Sequence, residues 1–242
     1  MKIVRMSAPS EGTTRQNINQ QIGNFIGKLL RDTFGKGPES VYIAAGHTCF
    51  VAYVRNFMSP MEKILIEHEQ EDTVFEMRAK LMESLFPEIR AYVRITTGIQ
   101  LREFYCDWNF TNQSGVLVGV SQEPMPPEEN TEDYLGKSEI EQEIVRVSEQ
   151  AERAPDEITS FAINHRTLVV IRTGILVRIE KEFIRHGQES LLRRVKATLE
   201  KSHLETNEHF EEFLKRRIID IFVDWDFDRD KSVIVMILGN KR

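Results

Sequence analysis

The sequence predicts an α+β protein built as two tandem copies of an α-β-β-α-α-β-β unit, each a four-stranded antiparallel sheet covered on one face by helices. The first observation behind this is an internal duplication. His47 falls on His165 at an offset of 165 − 47 = 118, and the same shift superposes Val51 on Val169, Glu62-Lys63 on Glu180-Lys181 and His68 on His186. It also pairs Gln70-Glu71 with Gln188-Glu189, Ala79 with Ala197 and Leu81 with Leu199. After a one-residue gap, Asp107-Trp108-Asn109-Phe110 meets Asp224-Trp225-Asp226-Phe227 at 224 − 107 = 117. The second observation is that apolar periodicity switches between helical and extended in the same order in both copies. The third is that glycine and proline punctuate those switches.

In the first copy Ile18, Ile22, Phe25, Ile26, Leu29 and Leu30 recur at helical spacing. Gly35-Lys36-Gly37-Pro38 ends that helix, because glycine supplies a left-handed cap and proline prevents continuation. Residues 41–45 and 49–54, parted by Gly46-His47, read as a tight hairpin. Ser59 is placed to cap the next helix, with Pro60 at the first helical position, where a missing N–H costs nothing. Ile64, Leu65, Val74, Met77, Leu81 and Leu85 keep one face of this region buried. Pro87 is expected to break the helix and restart it through Ile89, Tyr92, Val93 and Ile95, with Gly98 as the stop. Strands over 100–110 and 116–120 close the unit. Residues 122–138 hold Pro124, Pro126, Pro127 and five acids, so they are expected to form no regular element and to link a first repeat (1–121) to a second (139–242). There Ile140, Ile144 and Val147 mark a helix, 159–163 and 167–173 a hairpin, and 177–217 helices broken at His186-Gly187. Strands over 218–227 and 232–238 finish the chain, whose strand order the pattern leaves open.

Composition narrows the classes. A hydrophobic content of 40% supports a core in each copy, and a formal net charge of −6 argues against binding nucleic acid by phosphate neutralisation. The two cysteines, Cys49 and Cys106, face Thr167 and Val223 in the second copy, so the fold requires no disulfide and free thiols in a reducing cytoplasm are expected. Residues 1–15 carry no apolar signal-peptide core, and no apolar run approaches ~20 residues, so neither export nor membrane insertion is expected.

Gly35-Lys36-Gly37-Pro38, a hairpin, Ser59-Pro60-Met61-Glu62 opening a helix and a strand ending in Asp107 together resemble the MpsC-like family. These are small bacterial proteins named for a sodium-translocating, membrane-potential-generating system that is also linked to inorganic-carbon supply. The resemblance covers about residues 17–120, and more weakly 139–238. The family's Leu-Thr-Pro-Ala-Glu pattern is Met58-Ser59-Pro60-Met61-Glu62 in the first copy and Leu176-Val177-Arg178-Ile179-Glu180 in the second, where cap and proline are both lost. Gly-Lys-Gly-Pro is reduced there to Ala154-Pro155. The resemblance supplies no catalytic residues. It implies a cytoplasmic accessory role, peripheral to a membrane.

Candidate chemistry is sparse. His47 and His165 at the hairpin tips could hold a metal or sense pH, against a plainer reading in which Gly46 and Asn164 supply positive φ and histidine merely follows. His68 and His186 are expected at the surface. Asp224 and Asp226 alternate on a strand and could present carboxylates side by side, with Asp107 the counterpart of Asp224. The run from Asp224 to Asp230 starts like a calcium loop, but Val235 stands at its twelfth position instead of glutamate, so no EF-hand is expected. A His47–Cys49 nucleophile pair has no counterpart in the second copy. No phosphate loop, dinucleotide glycine motif or zinc spacing occurs, so neither metal nor cofactor is expected.

Two functional readings follow. The first is a non-enzymatic accessory or interaction protein beside a bacterial membrane cation or inorganic-carbon transport system. Its partner would be a protein, its form a monomeric pseudo-dimer or a homodimer. The second is a small-molecule or anion sensor with its site between the repeats, drawing on His47, His165, Asp107, Asp224 and Asp226. An enzyme ranks third, and would require a pocket gathering one of these histidines with Asp107 or Asp224.

Overall fold

The computed structural model describes residues 11–125 and 134–241. The first repeat runs α1 (Glu11–Phe34), β1 (Ser40–Arg55), α2 (Pro60–Glu67), α3 (Glu71–Thr97), β2 (Leu101–Asn109) and β3 (Ser114–Met125). The second runs α4 (Lys137–Ala151), β4 (Glu157–Asn164), β5 (Thr167–Thr173), α5 (Arg178–Arg185), α6 (Glu189–Lys196), a π-helical stretch (Ala197–Lys201), α7 (Ser202–Glu205), α8 (His209–Leu214), β6 (Arg216–Asp226) and β7 (Lys231–Lys241). The expected punctuation is in place. Gly35 and Gly98 follow α1 and α3 in the left-handed region, at φ 73° and 78°. Ser59 and Glu62 close a capping box: the Glu62 N–H donates to Ser59 Oγ (3.3 Å), and the Ser59 N–H donates to Glu62 Oε2 (2.6 Å).

Both sheets are antiparallel, ordered β1-β3-β2 and β4-β5-β7-β6. The first has three strands because β1 is one continuous element in place of the two expected. It nevertheless doubles back. Sixteen extended residues would separate their ends by about 50 Å, yet the Glu39 N–H donates to the Arg55 carbonyl at 3.0 Å. The reversal lies at His47, which itself adopts φ 53°. Gly46 and Asn164, expected to take that conformation, do not.

Pro87 does not break α3, which is continuous across it. An interior proline costs about 3 kcal/mol, but Leu85, Ile89 and Val93 around it all enter one core, and that burial outweighs the lost hydrogen bond. The break falls earlier, at 68–70, matching the one at 186–188 in the second repeat. Regular structure also enters both ends of the stretch read as a linker: β3 continues to Met125 and α4 begins at Lys137. Residues 126–133 lie outside the described residues.

Three apolar cores set the architecture. One, around Ile26, Phe50, Ile89 and Trp108, joins the first sheet to its helices. A second, around Ile144, Leu168, Phe210 and Trp225, does the same in the second repeat. The third joins the other faces of the sheets, bringing Cys49, Val51, Tyr105 and Val118 against Phe161, Val169, Phe222 and Val235. The order of layers is helices, sheet, sheet, helices.

Each helix–sheet core encloses an ion pair at equivalent positions. Arg78 Nε donates to Glu62 Oε1 (2.8 Å), and its guanidinium lies 4.4 Å from the Trp108 ring centroid and 4.8 Å from that of Phe57. Lys196 Nζ donates to Glu180 Oε1 (2.9 Å) and to Glu152, beside the Trp225 ring.

Candidate functional site

The two repeats meet along β2 and β6, the edge strands of their sheets, and that seam is stitched by a reciprocal pair of aspartates. Asp107 Oδ2 accepts from the Val223 N–H (3.0 Å), while Asp224 Oδ2 accepts from the Cys106 N–H (2.8 Å). Cys106 and Val223 are themselves equivalent, at 223 − 106 = 117. Each carboxylate therefore covers an edge amide that the partner strand would otherwise leave open. Each also takes a cation: Lys201 Nζ reaches Asp107 Oδ2 (2.7 Å), and Arg193 pairs with Asp224 Oδ1. Burial pushes the Asp224 carboxyl up, against the pull of Arg193 and two backbone N–H donors.

Around this stitch the pseudo-symmetry is broken twice. Asp220 and Glu103 are equivalent, at 220 − 103 = 117. Glu103 receives Lys231 Nζ (2.7 Å) and the Tyr105 hydroxyl (2.8 Å). Buried Asp220 receives neutral groups: the Tyr53 hydroxyl (2.6 Å), Asn109 Nδ2 (3.1 Å), Asn112 Nδ2 (2.6 Å) and Ser114 Oγ (3.0 Å). An open groove of about 1150 Å³, lined by Asn109, Glu205, His209, Lys215 and Asp220 among others, runs over this side. Burial pushes the Glu205 carboxyl up there, with Lys201 opposing. On the other side a smaller cavity of about 270 Å³ opens between Phe75, Phe86, Phe104 and Trp108 of the first repeat and Trp225 and Phe227 of the second. Ala79, Glu83, Cys106, Glu189, Arg193, Asp224, Asp226 and Asp228 complete its lining.

The residues singled out in the sequence do not converge on one site. Asp224 and Asp226 both line the smaller cavity, but Asp226 is paired with Arg229 (2.6 Å) and Asp107 faces Lys201. His47 lies against Phe161 of the other repeat, the rings tilted by 33° with centroids 4.5 Å apart, and its Nε2 is buried without a partner among the described residues. His165 sits exposed in the β4–β5 turn, and His68 and His186 are exposed where α2 and α5 end. Among the described residues no group of three His, Cys, Asp or Glu side chains is arranged to hold a metal ion. Both cysteines are free, and burial pushes their thiols up, Cys49 to about 12, so neither is a ready nucleophile. Sequence reasoning missed Arg193, Lys201, Glu103 and Asp220. The duplication held a signal for the last two, since both copies place an acid four residues before the aspartate that stitches the seam.

No curated protein and no solved structure matches the chain. Among the described residues no helix is long and apolar enough to cross a membrane. One family model, described as Na+-translocating membrane potential-generating system (MpsC), matches residues 14–123 and again 136–240. Those two matches contain the two structural units with their seam strands β2 and β6, and the chain therefore belongs to the MpsC family and carries its domain twice.

Proposed function

We propose that the protein is a non-enzymatic accessory protein, working through protein contacts at the cytoplasmic side of a bacterial membrane cation or inorganic-carbon transport system, with its two repeats standing in for the subunits of a dimer. One observation carries this reading. Equivalent helices of both repeats keep apolar side chains outward: Met61 (68% exposed) and Ile64 on α2, Ile179 (63% exposed) and Phe183 on α5. Single exposed apolar residues are ordinary. The same outward position kept in both copies, Met61 and Ile179 at 179 − 61 = 118, supports a contact surface used twice. The family's name supports a membrane-linked partner. The seam supports a structural role, since Asp107 and Asp224, the two acids that bridge the repeats, are each engaged by backbone N–H groups and a cation.

The test is purification of the tagged chain from its native host after mild crosslinking, with membranes solubilised. Integral membrane transport subunits are expected to co-purify, and to be lost in a Met61→Glu/Ile179→Glu variant of unchanged melting temperature. A native chain recovered without partners would defeat the proposal. The aromatic cavity at the seam favours a second reading, a small-molecule sensor whose site lies between the repeats.

A further inference from the structure

We infer that the cavity between the repeats binds a small organic cation, an ammonium group carried on an apolar body. This rests on the sensor reading and names its ligand class. The lining includes Phe75, Phe86, Phe104, Trp108, Trp225 and Phe227, and four of these rings already hold a cation of the protein: Arg90 on Phe104, Arg78 on Trp108, Lys196 on Trp225 and Arg193 on Phe227. The charges agree. Glu83, Glu189, Asp224, Asp226 and Asp228 line the cavity; Arg193 pairs with Asp224 and Arg229 with Asp226, which leaves a formal −5 + 2 = −3. Arg193 is engaged with Asp224 and lies 5.0 Å from the Phe227 ring centroid. The side chains of Glu83 and Asp228 make no hydrogen bond or ion pair among the described residues.

The protein contains its own precedent for this chemistry. Across the pseudo-twofold, Lys201 enters the equivalent side of the seam. Its ammonium stands 2.7 Å from Asp107 Oδ2, 2.8 Å from the Trp108 carbonyl and 5.7 Å from the Phe222 ring centroid. The residue equivalent to Lys201, at 201 − 118 = 83, is Glu83. One side of the seam thus carries a resident ammonium between a carboxylate and an aromatic ring, and the other presents the aromatic walls with an additional carboxylate. A bare metal ion is disfavoured by the donor arrangement. A volume of about 270 Å³, just under the usual range for ligand pockets (~300–1,000 Å³), suits one small molecule or one side chain.

The sequence has two tryptophans, and both line the cavity, so intrinsic fluorescence reports occupancy directly. The intact protein is titrated at constant ionic strength with phenethylammonium, with the neutral isostere phenethyl alcohol, with phenylacetate and with a lysine blocked at both ends. Saturable fluorescence change is expected for phenethylammonium, at least about tenfold tighter than for the alcohol, consistent with a desolvated cation–ring contact. Glu83→Gln and Asp228→Asn, both at exposed positions, should each weaken it about threefold to tenfold. Glu83→Lys, which puts an ammonium where Lys201 has one, should abolish it with the melting temperature unchanged. Tighter binding of blocked lysine than of phenethylammonium would support the same chemistry and assign the cation to a partner's side chain. Equal affinity for the alcohol, or full binding by the Glu83→Lys variant, overturns the inference. Saturation by phenylacetate alone overturns it while leaving the sensor reading intact, and no saturation by any probe overturns both.

Discussion

The helix–sheet core of the first repeat is apolar around a single ion pair, whereas the second encloses five charged side chains. Leu30, Phe34, Val54, Met82 and Gly115 correspond to Ser148, Glu152, Arg172, Glu200 and Ser232. The substitutions are not scattered. Arg172 pairs with Glu200 and donates to Ser148 Oγ and Ser232 Oγ, both at 2.8 Å, so four of the five changed positions form one network. The fifth follows from the cation. Arg78 spreads a planar guanidinium over rings that include Phe34, and it donates to Glu62 and to the Phe57 carbonyl. Lys196 is a compact ammonium, and Glu152, in the place of Phe34, gives it a second carboxylate. Even the glycine fits this logic. A Cβ on Gly115 would lie 2.1 Å from the Trp108 ring, while the corresponding Trp225 turns its indole N–H to Glu200 (3.2 Å) and leaves room for Ser232. One fold therefore tolerates either core, provided each buried charge is matched within its own repeat.

The strongest way to break that comparison is to convert the second core toward the first. Arg172→Val or Glu200→Met alone leaves a buried charge without its partner and should cost about 3–5 kcal/mol. The double variant restores the Val54–Met82 combination and should cost less than either single change. Chemical denaturation of all four proteins as a double-mutant cycle measures this, and additive losses would show that the pair is not coupled.

A subtler difference concerns protons. Glu152, Glu180 and Glu200 face Arg172 and Lys196, a formal −3 + 2 = −1. Burial pushes the Glu152 carboxyl up to about 7, with Glu180 and Glu200 adding and Lys196 opposing. Since the folded pKa lies above the ordinary value of 4.5, this group's contribution is fully present below about pH 4.5 and is lost as pH rises through 7. Unfolding free energy measured between pH 5 and 8 should carry this downward slope with rising pH, and Glu152→Gln should flatten it. A slope unchanged by the substitution would place the proton elsewhere. The first repeat has Phe34 at this position and lacks this group.

The smallest expected effect lies at a cap. Val177 keeps half of the box, its N–H donating to Glu180 Oε2 (2.8 Å), but it offers no side-chain acceptor where Ser59 has Oγ. Val177→Ser should stabilise the chain by about 1 kcal/mol, read as a small rise in melting temperature. A fall would mean that apolar contacts of Val177 outweigh the cap.

Much of this was legible in advance because it is local. The Ser59-Pro60 start, the Gly35 and Gly98 stops and the reversal at His47 depend on a few neighbouring residues and on backbone sterics. Pro87 misled because its cost is local and modest, while the burial that overrides it comes from the sheet beneath. Of the candidate site, Asp107 and Asp224 were visible as a repeated pair. Their role was not, because the amides they cover belong to the opposite repeat. One sign of the sheet-to-sheet core was present and went unused. Residues 116–120 and 233–238 are almost continuously apolar, as strands buried on both faces are.

By itself, then, the sequence determined the duplication, the order of elements and most of their ends, since periodicity, caps and turns act within a few residues. Only the tertiary structure decided that the two sheets pack face to face, that β2 and β6 share a seam, and that Lys201 fills one side of it while aromatic rings line a cavity on the other. Those outcomes depend on apolar faces and charges far apart in the chain, 94 positions for Lys201 and Asp107 and 118 for Cys106 and Asp224, and no local pattern encodes which of them will meet.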